Sequence, residues 1–368
     1  GLYYALLVIH GIINSLDSKT LARMTSGYVI VNLGITFVII ITLLATTPLH
    51  EMWGPSYTFG TIINQSGWEG QGGTAISFLF GLLSVQFVMT DYDATAHISE
   101  EVHRASIAAP VAIMVAVAGT GMVGWLLNIV LVITSGDVVH QDVDDMPGGL
   151  PMAQIMVNRM HKVGFLVVWP FVCLVAFFVV TTAMQANARS FYAFSRDHGL
   201  PDKGFFAKIY KRTGTTVNAV WLVVLCCIIL GLLGFISQYA INAIFALAAL
   251  GMDISYLIPI VCRQIFQDHP EVMFKPGPFT LGRGFFGRLI NGIAILWTIF
   301  ECTVLSIPQE MPIDEKNFNY SWVIMLGVLF LSLIWYVAHA HRHYHGPRST
   351  MSPEQLAKLD EGVKDEEK

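Results

Sequence analysis

Charge is scarce in this chain. Of 368 residues only 13% are Asp, Glu, Lys or Arg, about half the share of an ordinary soluble domain. With 54% hydrophobic residues and a mean hydropathy of +0.59, that scarcity argues against packing in water and makes a membrane the first class to test. Basic charge is not in excess either. The formal net charge is −5, which argues against nucleic acid as a partner. Cysteine is sparse, and Cys173, Cys226, Cys227, Cys262 and Cys302 lie in apolar runs without a CxxC pair. Neither a disulfide framework nor a zinc site is supported, and the thiols read as small buried hydrophobes. No Ser-His-Asp order, HExxH or Walker A sequence occurs, so the motifs point to no enzyme, cofactor or metal. A signal-peptide layout is missing too. The chain opens Gly1-Leu2-Tyr3-Tyr4, already inside an apolar run, which reads as a longer protein without its N-terminal part.

Long apolar runs are what the chain has. A helix needs about 20 apolar residues to cross a bilayer. Eight segments qualify: 26–46, 75–98, 110–135, 163–187, 216–236, 240–262, 287–307 and 319–339, and residues 1–13 look like the end of a ninth. The expected fold is therefore all-α and polytopic, with a membrane domain over 1–340 and a polar tail over 341–368. Ser352-Pro353-Glu354 has the Ser N-cap and Pro N1 of a short helix in that tail.

Basic residues then orient the spans. If the intervening loops are taken alternately, 18 of the 21 Lys and Arg fall in 14–25, 99–109, 188–215, 263–286, the tail and Arg288 at a span edge. The other loops, 47–74, 136–162, 237–239 and 308–318, hold only Arg159, Lys162 and Lys316. The first set, with the C-terminus, is expected in the cytosol. The opposite side then carries Asp142, Asp144 and Asp145 and the glycosylation triplet Asn64-Gln65-Ser66, a weak signal by itself.

The stretch Ser84 to Glu101 carries the most chemistry. Polar residues begin well before its helix should leave the bilayer, placing Asp91 and Asp93 near mid-membrane. A carboxylate there costs several kcal/mol (about 3 on insertion scales) unless it is paired or faces water. Two acids at i and i+2 cannot share one face of a regular helix. A local break satisfies both demands and frees backbone groups to bind a small molecule. The competing reading ends the span at Thr90 and leaves these residues at the interface. Asp253 lies mid-span beside Gly251, and Glu301 reads as a paired structural carboxylate nearer the far end of its span. Arg189 and Arg196, seven residues apart, share a helix face. They serve either as phospholipid contacts or as a gate paired with Glu100 or Glu101.

Other patterns mislead. Gly119-Thr120-Gly121-Met122-Val123-Gly124 and Gly282-Arg283-Gly284-Phe285-Phe286-Gly287 match the dinucleotide fingerprint, but no strand precedes either. Close helix packing explains the first better. His339, His341, His343 and His345 would form two i,i+4 pairs on a helix, a compositional hint of metal at most.

The stretch Thr90-Asp91-Tyr92-Asp93-Ala94-Thr95-Ala96-His97-Ile98-Ser99-Glu100-Glu101 resembles the sixth-helix signature of the amino acid–polyamine–organocation superfamily, in particular its fungal GABA/choline permease branch. Ala188-Arg189-Ser190-Phe191-Tyr192-Ala193-Phe194-Ser195-Arg196-Asp197-His198-Gly199-Leu200-Pro201 resembles that branch's eighth-helix exit. Phe274-Lys275-Pro276-Gly277-Pro278-Phe279 and Asn317-Phe318-Asn319-Tyr320 resemble motifs flanking its eleventh helix. Thr215-Thr216-Val217-Asn218 departs from the pattern, standing where a Thr-Pro step is expected.

The resemblance implies a twelve-helix permease with a LeuT-type five-plus-five inverted repeat, present here from the end of helix 4 through helix 12. It places the substrate at a break near Met89 to Asp93. Phe87 and Tyr92 would cover a cation, Thr90 and free carbonyls would hydrogen-bond it, and Asp91 or Asp93 would attract an ammonium or carry a proton. Asp253, by the glycine beside it and not by the resemblance, either packs closely, lines the same pathway or is a paired structural carboxylate. The expected activity is proton-coupled transport of amino acids or amines such as GABA and choline, with lipid as the surrounding partner. The plasma membrane is the expected location, with vacuolar or organellar membranes as alternatives. A membrane nutrient sensor and a non-transporting fragment are the rival readings.

Overall fold

Runs of Leu, Ile, Val, Phe and Ala without polar interruption form helices wherever no water is present to solvate the backbone, because a helix satisfies its own N–H and C=O groups. The computed structural model describes residues 1–344 and 346, apart from 65, 71, 88, 100, 101, 103, 142–145, 147, 148, 236, 237, 271, 273–276, 283, 310 and 315–317; the side chains of 83–87, 139 and 238–242 are likewise outside the described set. The helices are α1 (Leu2–Asn14), α2 (Ser18–Thr46), α3 (Pro55–Gly60), α4 (Gly73–Phe87), α5 (Ala94–His97), α6 (Ala105–Thr134), α7 (Pro151–Arg196), α8 (Val217–Leu233), α9 (Gln238–Phe266), α10 (Phe285–Ser306) and α11 (Ser321–Ala338). Among the described residues there is no strand, only an isolated bridge between Tyr210 and Thr215.

Six of these helices are long and apolar enough to cross a membrane, and three shorter apolar ones stand beside them. Two of the eight expected spans are thus shorter than expected. The 75–98 segment is cut at Phe87, and the 216–236 segment ends as a helix at Leu233. The apolar surface faces outward. The hydropathic window of α6 averages 2.0, yet only 6% of it is buried within the protein, an arrangement that water would not tolerate over such an area. This is an integral membrane protein. Several threonines within the spans are satisfied by their own helix. Thr134, Thr181 and Thr182 donate to the carbonyls of Val130, Phe177 and Phe178, a local bond that keeps a hydroxyl out of hydrocarbon.

Helix α7 holds the molecule together. Toward one end Ile155, Met156, Met160 and Val168 pack with Ile39, Ile40 and Leu43 of α2 and Val130 of α6. Toward the other, Met184 and Ala188 pack with Leu7 of α1 and Ala219, Val220, Val223 and Val224 of α8. A second group forms around α9, which packs on α10 and α11, with α4 against α10. Helix α7 starts twelve residues before the expected span, with Pro151 in its first turn, and is broken at His161 (φ 56°, ψ 169°). The piece before the break becomes helical because Ile155, Met156 and Met160 find an apolar partner surface in α2 and α6. Arg159 and Lys162 therefore sit on a helix and not in a loop. The glycine motif at 119–124 lies within α6. Gly121 abuts Met89, where an added Cβ would come within 3.3 Å of the sulfur, whereas Gly119 meets nothing within 4 Å. Close packing explains one of these glycines and not the other.

The two expected sets of loops gather at opposite ends. Asn14, Ser18, Ile209 and residues 96–99 and 214–216 line one shared cavity at the basic end. At the other end Trp53 donates to the carbonyl of Gly136, and the backbone N–H of Met311 donates to Ser66. Asn64 accepts from the N–H and hydroxyl of Ser66, while Gln65 and the acids 142, 144 and 145 lie outside the described residues. Helix α11 stops at Ala338, and 340–342 form a 3-10 turn. Of the two expected histidine pairs, His339 and His343 meet across this turn in a tilted ring contact at 4.8 Å. His345 and the tail that includes Ser352 are outside the described residues.

Beyond α7 the chain turns under control of Asp202. Its carboxylate accepts from Ser195 Oγ at 2.5 Å, from the N–H of Phe206 at 2.9 Å and from the N–H of Gly204 at 3.3 Å. Burial works against the charge, but these hydrogen bonds outweigh it and hold the carboxyl below its ordinary value of 3.8. A carboxylate with a lowered folded pKa contributes stability that is fully present above pH about 4 and is lost as the pH falls through the lowered value. Asp202→Asn is therefore expected to lower stability by about 2 kcal/mol at neutral pH and to flatten the loss of stability below pH about 4. Thermal unfolding in detergent across pH checks this, and an unchanged acid limb would refute it.

Candidate substrate site

The break in the fourth helix builds the site. Helix α4 ends at Phe87, residues 89–93 form turns, and α5 resumes for one turn at Ala94. Asp91 adopts a left-handed conformation (φ 64°), which Asp tolerates better than most residues. The new turn is tied by the N–H of Ala94 donating to Asp91 O and that of Ala96 to Asp93 O.

Asp93 is the most engaged group. Its Oδ2 accepts from the hydroxyl of Tyr256 on α9 at 2.6 Å and lies 3.2 Å from His97 Nε2. The other ring nitrogen, Nδ1, is 3.0 Å from Ser190 Oγ on α7. Ser190 in turn donates to Ala186 O. The break is thus clamped between two long helices by one carboxylate and one imidazole. Asp91, Asp93, His97, Thr182, Asn187 and Ser190 line a cavity of about 220 Å³. That is below the volume of drug-sized sites and suits a molecule of a few heavy atoms.

Around Tyr92 the field is acidic. Asp93, Asp253 of α9 and Glu301 of α10 all act electrostatically on it. Glu301 is 7% exposed and feels the charge of Asp253. Such a centre attracts a cation and repels an anion.

The other sequence candidates distribute as follows. Met89 and Thr90 are half-buried beside the break. The side chain of Phe87 and the whole of Glu100 and Glu101 lie outside the described residues, so no gate pair is assigned to Arg189 or Arg196. Arg189 lines a second cavity of about 470 Å³ with Asn14, Ser18, Ser99, Gln185 and Thr215. Arg196 pairs with Asp197 at 3.2 Å and lies 5.8 Å from the centre of the Tyr192 ring. Sequence reasoning assigned no role to Tyr256, His97 or Ser190. Tyr256 carried a signal, since it follows Asp253 by three residues and shares its helix face. Ser190 and His97 meet only through the packing of α5 on α7, which no local pattern displays.

Apolar helices without strands among the described residues, one of them broken around acids at a small polar cavity, define a polytopic membrane protein with a polar site within the bilayer. The family model "Amino acid permease" matches residues 1–330. The chain belongs to the amino acid permease family. It is 41% identical over 96% of its length to an uncharacterized amino-acid permease of Schizosaccharomyces pombe, 64% of which is covered. It is 32% identical over 94% of its length to amino-acid permease 2 of Neurospora crassa, with 62% covered. The match to amino-acid permease BAT1 of Arabidopsis thaliana is 30% over 95% of the chain and 67% of that protein. The chain spans about three-fifths to two-thirds of the length of these relatives.

Proposed function

We propose that this chain is the core of a secondary transporter for amino acids or related amines, with GABA and choline as leading candidates and a proton as the coupling ion. The helix break carries the reading: it sets Asp91 on a small cavity, while Asp93 is already engaged by Tyr256 and His97. Asp91 supplies the charge that draws an ammonium group. Tyr92 covers it as an aromatic face. Thr90 and the backbone of the break orient the solute, and Asp253 adds to the negative field. The basic end of the molecule is cytosolic in this reading, and Arg189 and Arg196 sit at its exit.

Labelled GABA uptake tests it, in cells devoid of their own permeases expressing the full-length reading frame, with choline, polyamines and amino acids as unlabelled competitors. Saturable uptake that one class of competitor suppresses is expected. Absence of uptake of GABA, and of each competitor when labelled in its turn, with the protein shown in the membrane, would overturn the reading. Within this assay Tyr256→Phe removes one hydrogen bond to a charged acceptor and is expected to reduce uptake about tenfold. Uptake at the original rate would show that the Tyr256–Asp93 contact does not shape the site.

A further inference from the structure

We infer that His97 is the proton carrier of this permease, passing a proton between the small cavity and the large one. Residues His97 and Ser190 line both cavities, so the imidazole stands in the wall between them. Its two nitrogens face opposite ways. Nε2 lies 3.2 Å from Asp93 Oδ2 on the small-cavity side, and Nδ1 lies 3.0 Å from Ser190 Oγ. A proton gained at Nε2 from the Asp93 side makes an imidazolium. Loss of the Nδ1 proton to water of the large cavity, through Ser190 Oγ, restores the neutral ring. One proton enters, one leaves, and no heavy-atom bond changes. Histidine suits this because its ordinary charge change lies near neutral pH.

The other groups near the ring fit the same arrangement. Asp91 and Asp93 face it from the break, Tyr256 reaches Asp93 from α9, and Arg189 and Tyr192 of α7 line the large cavity. Arg104 stands at the start of α6, the helix that also packs on α5. From 14–18 and 214–216 the lining side chains are uncharged: Asn14, Ser18, Thr215 and Thr216. Glu100, Glu101 and His103 lie outside the described residues. Two acids on one side and an arginine on the other set the direction of the field across the ring. A charged ring holds Asp93 toward α7 through Ser190, and a neutral one weakens that tie. Protonation and the shape of the small cavity are thereby linked.

The inference rests on the transport reading and deepens it, so the test separates the two. Full-length protein in proteoliposomes is assayed with labelled GABA, choline and alanine in two modes: accumulation driven by an imposed pH gradient, and counterflow, in which internal and external solute exchange with no net proton movement. His97→Gln, which also removes a wall of the small cavity, is expected to lower accumulation at least about tenfold more than it lowers counterflow. Equal loss in both modes, or full accumulation, overturns the assignment. Should His97→Gln fail to reach the membrane, Ser190→Ala decides. It keeps both acids and the imidazole, and should move the pH midpoint of accumulation by about half a unit or more. An unmoved midpoint overturns the assignment. Absence of counterflow for every solute in the wild-type protein would overturn the transport reading itself.

Discussion

Asp91→Asn is expected to abolish uptake, by at least about a hundredfold, while the protein still reaches the membrane. The substitution keeps the size and the hydrogen-bonding oxygen of the side chain and removes only its charge. Hydrogen bonds to charged groups are worth about 1.5–3 kcal/mol, and a cation held away from bulk water gains further from a full opposite charge. A loss of about 3 kcal/mol corresponds to more than a hundredfold in binding. Folding should survive, because asparagine also tolerates the left-handed backbone seen at this position (φ 64°). The loss should appear in counterflow as well as in accumulation, which distinguishes a solute anchor from the proton carrier at His97. Surface-labelled protein with normal uptake would remove Asp91 from the site.

A second large effect is expected at the opposite end of the molecule, and it should be lopsided. Arg159→Ala is expected to cost about 3 kcal/mol of stability, Glu51→Ala about 1 or less. Arg159 donates from Nε to the carbonyl of Thr134 at 2.7 Å and also pairs with Glu51. Its side chain is 11% exposed and that of Glu51 is 48%. The ion pair is therefore partly in water, where such pairs contribute about 0–1 kcal/mol. The carbonyl of Thr134 closes α6 at a fully buried residue, and leaving it without a donor costs about 1–3 kcal/mol in addition to the lost packing. Gly136, at φ 55°, makes room for this arrangement, since a Cβ there would lie 2.6 Å from the guanidinium. Denaturant unfolding of the two single variants and the double variant measures the asymmetry. Equal costs at the two positions would mean that the ion pair, and not the carbonyl, is what matters.

Much of the architecture was legible because hydropathy in a bilayer acts over whole segments. Each apolar run from 1–13 to 319–339 contains a helix, and the alternation of basic residues matches the gathering of loops at two ends. The break between Phe87 and Ala94 was legible for a local reason: two acids at i and i+2 near mid-span are incompatible with an unbroken helix. Lengths were read less well. The first turns of α7 form because Met156 and Met160 are covered by α2 and α6, a tertiary effect that a polar-looking loop sequence conceals. The environment of Glu301 was also hidden, because Asp253 reaches it from another helix. Tyr256, His97 and Ser190 are separated by up to 159 positions, and their meeting at Asp93 is a property of the packing alone.

Helix α7 also has a mechanical property. From Val168, in the core at one end, to Ser190 at the other is 22 residues of continuous helix, or about 33 Å at 1.5 Å per residue. A rigid rod of that length is a lever. Pivoting it by about 5° at Val168 sweeps its far end through about 3 Å, comparable to the full length of the Ser190–His97 hydrogen bond. An adjustment at Val168 too small to disturb the residues packed there would be amplified at the imidazole. The stretch of helix between Val168 and the proton path is thus an arm of leverage, by which a small angular change in one core becomes a made or broken contact at the other.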